Sequence, residues 1–413
     1  MIDLRLLRDD PDRFITSLKN KDYSFDAHKL VVLDEQRRVL LSDVERLRHE
    51  KNELADQIAR QGIKNELREK SIEIGKLLKE YEKKFVIVEK QFHDLYLSCP
   101  NLPADDLPIG GKEANLVVSE VGHKPVFDFP IKNHLELGKL NSWFDFEAAA
   151  QMTGSNFVFY MGDAVRLMYA LAMFMLKHNQ EHGFTSLMLP PYLVNEQSLE
   201  VASNFPKFRD QVYAIEQDNL YLIPTAEVSL TNIYRNIIFE QDELPKRMTS
   251  WTSCFRREAG GYGSAERGLI RIHQFEKVEL YTICLPEDAE REQERMLACA
   301  EEILKKLELH YRVSLLATQD CSFPSAKTYD LEVWMPGQDA YYEVSSISNC
   351  TDFQSRRGGI RYRENDDKKI RFTYTLNGSS LALPRLIIAL METYQQNDGS
   401  IIIPEVLKPY ILC

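Results

Sequence analysis

Apolar residues in the first quarter of the chain recur at alternating spacings of three and four. Leu33, Leu40, Val44, Leu47, Leu54 and Ile58 form one seam, interrupted by Arg37 and Lys51. After Gln61-Gly62 a second seam runs Leu67, Ile74, Leu78, Tyr81, Phe85, Val88, Phe92, Leu95, with Ser71 in its one polar slot. These are heptad patterns, and two such helices joined by a short turn are expected to fold back as an antiparallel coiled coil. The helix from Ala27 to Arg60 would be ~50 Å long at 1.5 Å per residue.

The pattern changes period in the middle of the chain. Trp251 to Glu258 alternates so that Arg256 and Glu258 share a face, and Arg271 to Tyr281 puts His273, Phe275, Lys277 and Glu279 on one face. Ile272, Val278 and Leu280 take the other. Period-two alternation predicts two strands. Gly260, Gly261, Gly263 and Gly268 lie between them, in a loop longer than the 2–5 residues usual for a hairpin. Pairing the strands antiparallel puts Arg256, Glu258, Phe275 and Glu279 on one surface. A guanidinium can fork onto a phosphate, a ring can stack on a base, and a carboxylate can hold an ammonium. The surface therefore suits a nucleotide together with an amino acid, whereas an ordinary surface hairpin has no need of so long a glycine-rich loop.

Other segments add elements and polar positions. Prolines at 100, 103, 108, 125 and 130, with Gly110-Gly111 among them, mark a domain boundary; a division into 1–110 and 111–413 is expected. Asp163 is expected to cap a helix reaching about His182 and stopping at Gly183, with Leu167, Leu171, Phe174 and Met175 apolar, followed by a strand broken at Pro190-Pro191. In LYLIPTAEVSL, a strand would turn Thr225 and Glu227 the same way around Ala226. In YYEVSS, alternation puts Glu343 and Ser345 on one face, with Val344 and Ser346 beside them. Asn377-Gly378 reads as a turn between a strand and a helix opened by Pro384 and Arg385.

Composition narrows the classes. With 413 residues, 44% hydrophobic and 28% charged, the chain suits two or three globular domains. It has no apolar run of membrane-span length, and its charged start, MIDLRLLRDDPDRF, does not read as a signal peptide. Seven scattered cysteines without a CxxC pair suit a reducing cytoplasm, and nine histidines without HExxH or HxH spacing indicate no zinc. The net charge is −12, yet Val31 to Ser98 balances 14 basic against 14 acidic residues. That stretch repels a polyanion least, and Arg46, Arg48, Lys51, Arg60, Lys64, Arg68, Lys70, Lys76 and Lys79 fall on its outer half. By composition alone it reads equally as a dimerisation coil. No GxxxxGK[ST] is present, and Gly261-Tyr262-Gly263 lacks the third glycine of a dinucleotide fingerprint.

The runs CFRREAG and RGLIRIHQFEKVEL resemble the second signature motif of class II aminoacyl-tRNA synthetases, in the form found in the seryl-tRNA synthetase family. HLELGKL, NCTDFQSRRGGIRYR and TLNGSSLALPRLIIALMETYQ extend the resemblance along nearly the whole chain. It implies an α+β fold: an antiparallel coiled-coil arm that grips tRNA, ahead of a core of mostly antiparallel sheet flanked by helices. It implies a homodimer built on the Asp163 helix, and no membrane. The implied reaction joins L-serine to ATP as seryl-adenylate and passes the seryl group to the terminal adenosine of tRNA(Ser), with tRNA(Sec) left open as a second acceptor. By the same resemblance Thr225, Ala226, Glu227, Glu279 and Ser379 bind serine. Arg256, Arg257, Glu258, Phe275, Glu343, Val344, Ser345, Ser346 and Arg385 bind ATP, Arg256 and Arg385 are catalytic, and Glu343 with Ser346 hold Mg2+ through the nucleotide. Ser380 and Pro384 stand where the family usually has glycine. The alternatives are a synthetase-like ligase that loads a carrier protein, another class II synthetase such as that for threonine or proline, and a non-catalytic coiled-coil interaction protein.

Overall fold

The computed structural model describes residues 1–22, 24–62, 64–259 and 268–411. Gly260, Gly261 and Gly263 of the expected loop lie outside the described residues. The chain divides into two compact units, Met1–Pro100 and Asn101–Cys413.

In the first unit, Leu4–Asp9 and Pro11–Lys21 precede two long helices, Ala27–Gln61 and Asn65–Leu97. Asp26 starts the first long helix by accepting a hydrogen bond from the Lys29 N–H, and Gly62 ends it at φ 78°. Its 35 residues give a rod ~52 Å long. Val44, Leu47 and Leu54 bury against Ile74 and Leu78, with Leu67, Tyr81 and Phe85 packed at the edges. Arg37 interrupts the seam without leaving a bare charge. Its guanidinium lies 4.7 Å from the centre of the Phe92 ring and pairs with Glu89 at 3.3 Å. Lys51 turns out to solvent. Asp34 is fully buried and gathers Arg8, Arg37 and Arg38. Burial alone would raise its pKa, but the Arg8 hydrogen bond and the three guanidinium charges hold it below the usual carboxylate range.

The second unit is built on an eight-stranded sheet in the spatial order Leu116–Val121, Tyr311–Leu315, Lys327–Met335, Ala340–Asn349, Tyr374–Ala382, Gln274–Cys284, Lys246–Phe255, Ser186–Met188. Every neighbouring pair is antiparallel except the last, which is parallel. Helices Asp163–Glu181, Ala289–Lys306 and Leu383–Tyr394 supply Leu171, Met175, Met296, Ile303, Leu386 and Ile387 to a core shared with Val278, Leu280, Leu331, Val333, Ile347 and Leu376. At the linker, Asn101 and Ala104 hydrogen bond to the carbonyls of Phe323 and Ala326. Among the described residues no helix is long and apolar enough to cross a membrane.

Several local expectations are corrected. The paired strands begin and end later or earlier than alternation suggests, at Lys246–Phe255 and Gln274–Cys284, and Gly268–Ile270 is a short 3-10 turn. Arg256 and Glu258 therefore lie beyond the strand end, Glu258 at φ 50°. Asp163 is the first residue inside its helix rather than the cap, which is Gly162, and its carboxylate pairs with Arg166 at 2.7 Å. Asn377 and Gly378 are not a turn: they sit mid-strand in Tyr374–Ala382, facing Tyr281 and Leu280 on one side and Ser348 and Ile347 on the other. Glycine is needed at 378 because a Cβ there would approach the Ile347 Cγ1 to 2.8 Å. Thr225 and Glu227 are not in a strand either. Thr225 is the N-cap of helix Ala226–Asn232 and Glu227 lies in its first turn.

Candidate active site

The hairpin pairs Phe275 with Cys254 and Glu279 with Ser250. Val278 and Leu280 enter the core, and Phe275, Lys277 and Glu279 alternate onto the opposite face. Past the strand end, the Arg256 N–H donates to the His273 carbonyl, which keeps Arg256 beside the partner strand. Its guanidinium lies 5.1 Å from the Phe275 ring centre, and its Nε donates to the Pro224 carbonyl at 3.4 Å. Arg256, Glu258, Phe275, Lys277, Ser379 and Arg385 line one cleft of about 190 Å³. Glu258 does not stand alone there: Arg271, also in the wall, pairs with it at 2.6 Å.

Behind the cleft lies a buried polar layer. Lys277 donates to the Thr225 hydroxyl at 2.8 Å and pairs with Glu279 at 2.5 Å; the Thr225 hydroxyl donates to Glu279 at 2.7 Å. Glu227 points to other partners, accepting from Gln354 at 2.6 Å and Asn377 at 3.0 Å. Loss of hydration, then the neighbouring charge of Glu279, push Glu227 up to about 7. Gln354 is fixed in turn by the hydroxyls of Thr375 and Tyr281, at 2.8 and 3.3 Å.

A second cavity, of about 330 Å³, shares Glu343 and Arg385 with the first and adds Asp320, Asp330, Glu332 and Ser346. Alternation in YYEVSS fails because the pairing with Lys327–Met335 shifts between Leu331 and Glu332. The bulge brings Glu343 and Ser346, not Glu343 and Ser345, to one wall. Ser345 instead donates to the Ser379 carbonyl, and Val344 is buried in the core. Loss of hydration and the Glu343 charge hold Asp330 well above the usual carboxylate range, and its Oδ1 has no hydrogen-bond partner. These all-oxygen donors around an orphaned carboxylate atom fit a hard divalent cation such as Mg2+. Arg385 divides the two cavities. Near the start of helix Leu383–Tyr394, its Nη1 donates to the Glu343 carbonyl at 2.7 Å and its Nε to the Ile270 carbonyl at 3.3 Å.

Apart from Ser345 and Ser346, placed above, the expected site residues fall into three sets. Arg256, Glu258, Phe275, Ser379, Glu343 and Arg385 share the cleft wall. Thr225, Glu227 and Glu279 form the layer behind it. Ala226 and Val344 are core residues, and Arg257 is exposed outside the cleft, its N–H donating to the Gln211 carbonyl. Sequence reasoning assigned no role to Lys277, Arg271, Gln354 or Asn377. Lys277 carried a signal, standing between Phe275 and Glu279 in the same alternation, while Gln354 stood out only as part of the NCTDFQ run and Asn377 only as a turn residue. The two departures from the family pattern are accommodated: the buried Ser380 hydroxyl donates to Asn179 at 3.0 Å, and Pro384 takes an early helical position where a missing N–H is harmless. Spacing also gave no hint of His178, His182 and Cys299, whose ligand atoms lie within 4.8 Å of one another. The ring nitrogens of both histidines already face Cys299 O, Lys306, His178 O and Glu302.

Comparison with known proteins decides the family. Residues 1–103 match the seryl-tRNA synthetase N-terminal domain, and residues 211–394 match the tRNA synthetase class II core domain (G, H, P, S and T). The serine–tRNA ligase of Syntrophobacter fumaroxidans is 43% identical over 419 residues, covering 100% of this chain and 98% of its own. The chain belongs to the seryl-tRNA synthetase family. The serine–tRNA ligase of Chlamydia felis is 44% identical over 418 residues, covering 100% and 98%. The seryl-tRNA synthetase structure from Pyrococcus horikoshii complexed with ATP superposes with a TM-score of 0.93 at 34% identity, covering 100% of this chain and 98% of that one. A Naegleria fowleri serine–tRNA ligase structure in complex with AMP gives 0.86 at 25% identity, covering 100% and 97%. As a seryl-tRNA synthetase the chain is an ATP-dependent aminoacyl-tRNA ligase acting on serine, and the carrier-protein, other-synthetase and non-catalytic alternatives are set aside.

Proposed function

We propose the following division of labour for serine activation in this cleft. Phe275 stacks the adenine of ATP, and Glu258, oriented by Arg271, accepts its exocyclic amine. Arg256 bridges the serine carboxylate and the α-phosphate. Arg385 meets the outer phosphates, and Glu343 and Ser346 would hold Mg2+, which would supply further positive charge to them. Glu279 and Thr225 hold the α-ammonium, with Glu227 and Ser379 completing the amino acid pocket. A serine carboxylate oxygen forms a bond to the α-phosphorus as the bond to the bridging oxygen breaks, and pyrophosphate leaves with that electron pair. No side-chain base is required, because the attacking carboxylate is already ionised. The work of the site is to bring two anions into line and spread the charge on the α-phosphate. The terminal adenosine hydroxyl of tRNA(Ser) then attacks the seryl carbonyl, displacing AMP.

The observation that carries this reading is the placement of the Arg256 guanidinium 5.1 Å from the Phe275 ring centre, in one cleft with Lys277, Ser379 and Arg385. The exposed basic residues of the coiled coil support a role in holding tRNA by shape and phosphates. Exposed Tyr169, Met173 and Leu187, on helix Asp163–Glu181 and the adjoining edge strand, support a homodimer there. Six described cysteines, all buried, support a reducing cytoplasm. Arg256→Ala is expected to lose serine-dependent ATP–pyrophosphate exchange by at least ~100-fold while its circular dichroism is unchanged. Near-normal exchange in the folded variant removes Arg256 from the reaction.

A further inference from the structure

Among the polar groups behind the cleft, Lys277 is the one that already makes contacts proposed for a ligand. Its ammonium donates to the Thr225 hydroxyl at 2.8 Å and pairs with Glu279 at 2.5 Å, and the side chain is 8% exposed. Those two acceptors are the ones proposed above for the α-ammonium of serine. Glu279 Oε2 and the Thr225 hydroxyl are already occupied by Lys277, so a second ammonium brought to these atoms competes with the first and repels it. Lys277 also lines the cleft with Arg256, Phe275 and Ser379. A lysine stem is flexible enough to carry its charge from the rear layer towards the cleft. Buried charge left without a partner is costly, so a displaced Lys277 needs an anion nearby. The wall carboxylates Glu258 and Glu343 are already paired with Arg271 and Arg385, so the anions left for it in the loaded cleft are the serine carboxylate and the phosphates of ATP.

We infer that Lys277 is a catalytic residue that, before substrate arrives, stands in for the substrate ammonium on Glu279 and Thr225. Serine displaces it, and its freed charge turns to the reacting carboxylate and α-phosphate. Amino acid binding thereby delivers a second cation, beside Arg256, to the point where negative charge gathers. The inference rests on the assignment of serine to this pocket. It deepens that reading by coupling the two substrates: serine alone offers the displaced lysine only a carboxylate that Arg256 already holds, so serine binds more tightly when the phosphates of a nucleotide are also present.

Two measurements test it, after wild-type exchange with serine has been established. In steady-state ATP–pyrophosphate exchange, Lys277→Met is expected to lower kcat at least ~100-fold, with the KM for serine unchanged or lower because a competitor has been removed. A KM for serine that rises with kcat preserved, or a kcat within about threefold of wild type, overturns the inference. The second measurement needs no variant to fold. Calorimetric titration of the wild-type chain with serine is expected to show at least ~10-fold tighter binding when a non-hydrolysable ATP analogue is present, a coupling of about 1.4 kcal/mol. Equal affinity with and without the analogue overturns the inference. Wild-type exchange with an amino acid other than serine would instead defeat the substrate assignment, and the Lys277 tests would then be run with that amino acid.

Discussion

Glu227 is the residue whose environment makes the sharpest solution prediction. It stands at about 7 in the folded chain, against an ordinary glutamate value near 4.5. Between these values the folded state holds a proton that the unfolded state has lost. Stability therefore falls as pH rises from about 4.5 to 7, and the shift corresponds to about 3 kcal/mol at most. Glu227→Gln keeps an acceptor for Gln354 and Asn377 and cannot ionise. The difference in stability between variant and wild type, measured by urea unfolding, is expected to grow in favour of the variant from pH 5 to pH 8. A difference independent of pH contradicts the assignment. At this scale the sequence made the charged and aromatic members legible, because alternation placed Phe275 and Glu279 on one strand face. It misdirected the reading of Thr225 and Glu227. A Thr-x-Glu pair shares a face in a strand, but at a helix start Thr225 turns to cap and Glu227 diverges to Gln354. The roles of the amides were invisible, since Gln354 and Asn377 acquire them only from tertiary neighbours.

Among the elements, the strand Tyr374–Ala382 leaves little room for substitution. A methyl group at Gly378 would meet Ile347 Cγ1 at 2.8 Å and Met296 Cε at 3.3 Å, in a core closed on both sides. Gly378→Ala is expected to destabilise the Asn101–Cys413 unit by about 1–3 kcal/mol, read as a lower urea midpoint. An unchanged midpoint would mean that the two strands separate more easily than their packing indicates. Asn-Gly is a strong local turn signal, and here the central position of the strand overrides it. Heptads fared better because a coiled-coil seam is local periodicity repeated many times. Leu33, Val44, Leu47 and Leu54 are buried as spacing predicted, and the irregular slot at Arg37 is filled by an ion pair and a ring contact. The bulge that unites Glu343 with Ser346 left no trace in alternation, since a bulge is a departure from it.

For the whole molecule, charge balance and proline content in the sequence indicated two parts with different partners, and the structure has two compact units. Family membership assigns the overall reaction, and the two units are proposed to divide it between them. On the division proposed above, the cleft of the second unit forms adenylate from serine and ATP with a divalent cation, and the exposed basic surface of the coiled coil bears on tRNA alone. Parallel assays of the full chain and of a chain with Leu40–Phe85 replaced by a short turn test this most directly. Serine-dependent ATP–pyrophosphate exchange is expected to stay within a few-fold of wild type, while charging of tRNA(Ser) falls by at least ~100-fold. Equal loss of both activities, or charging that survives the deletion, would contradict the account.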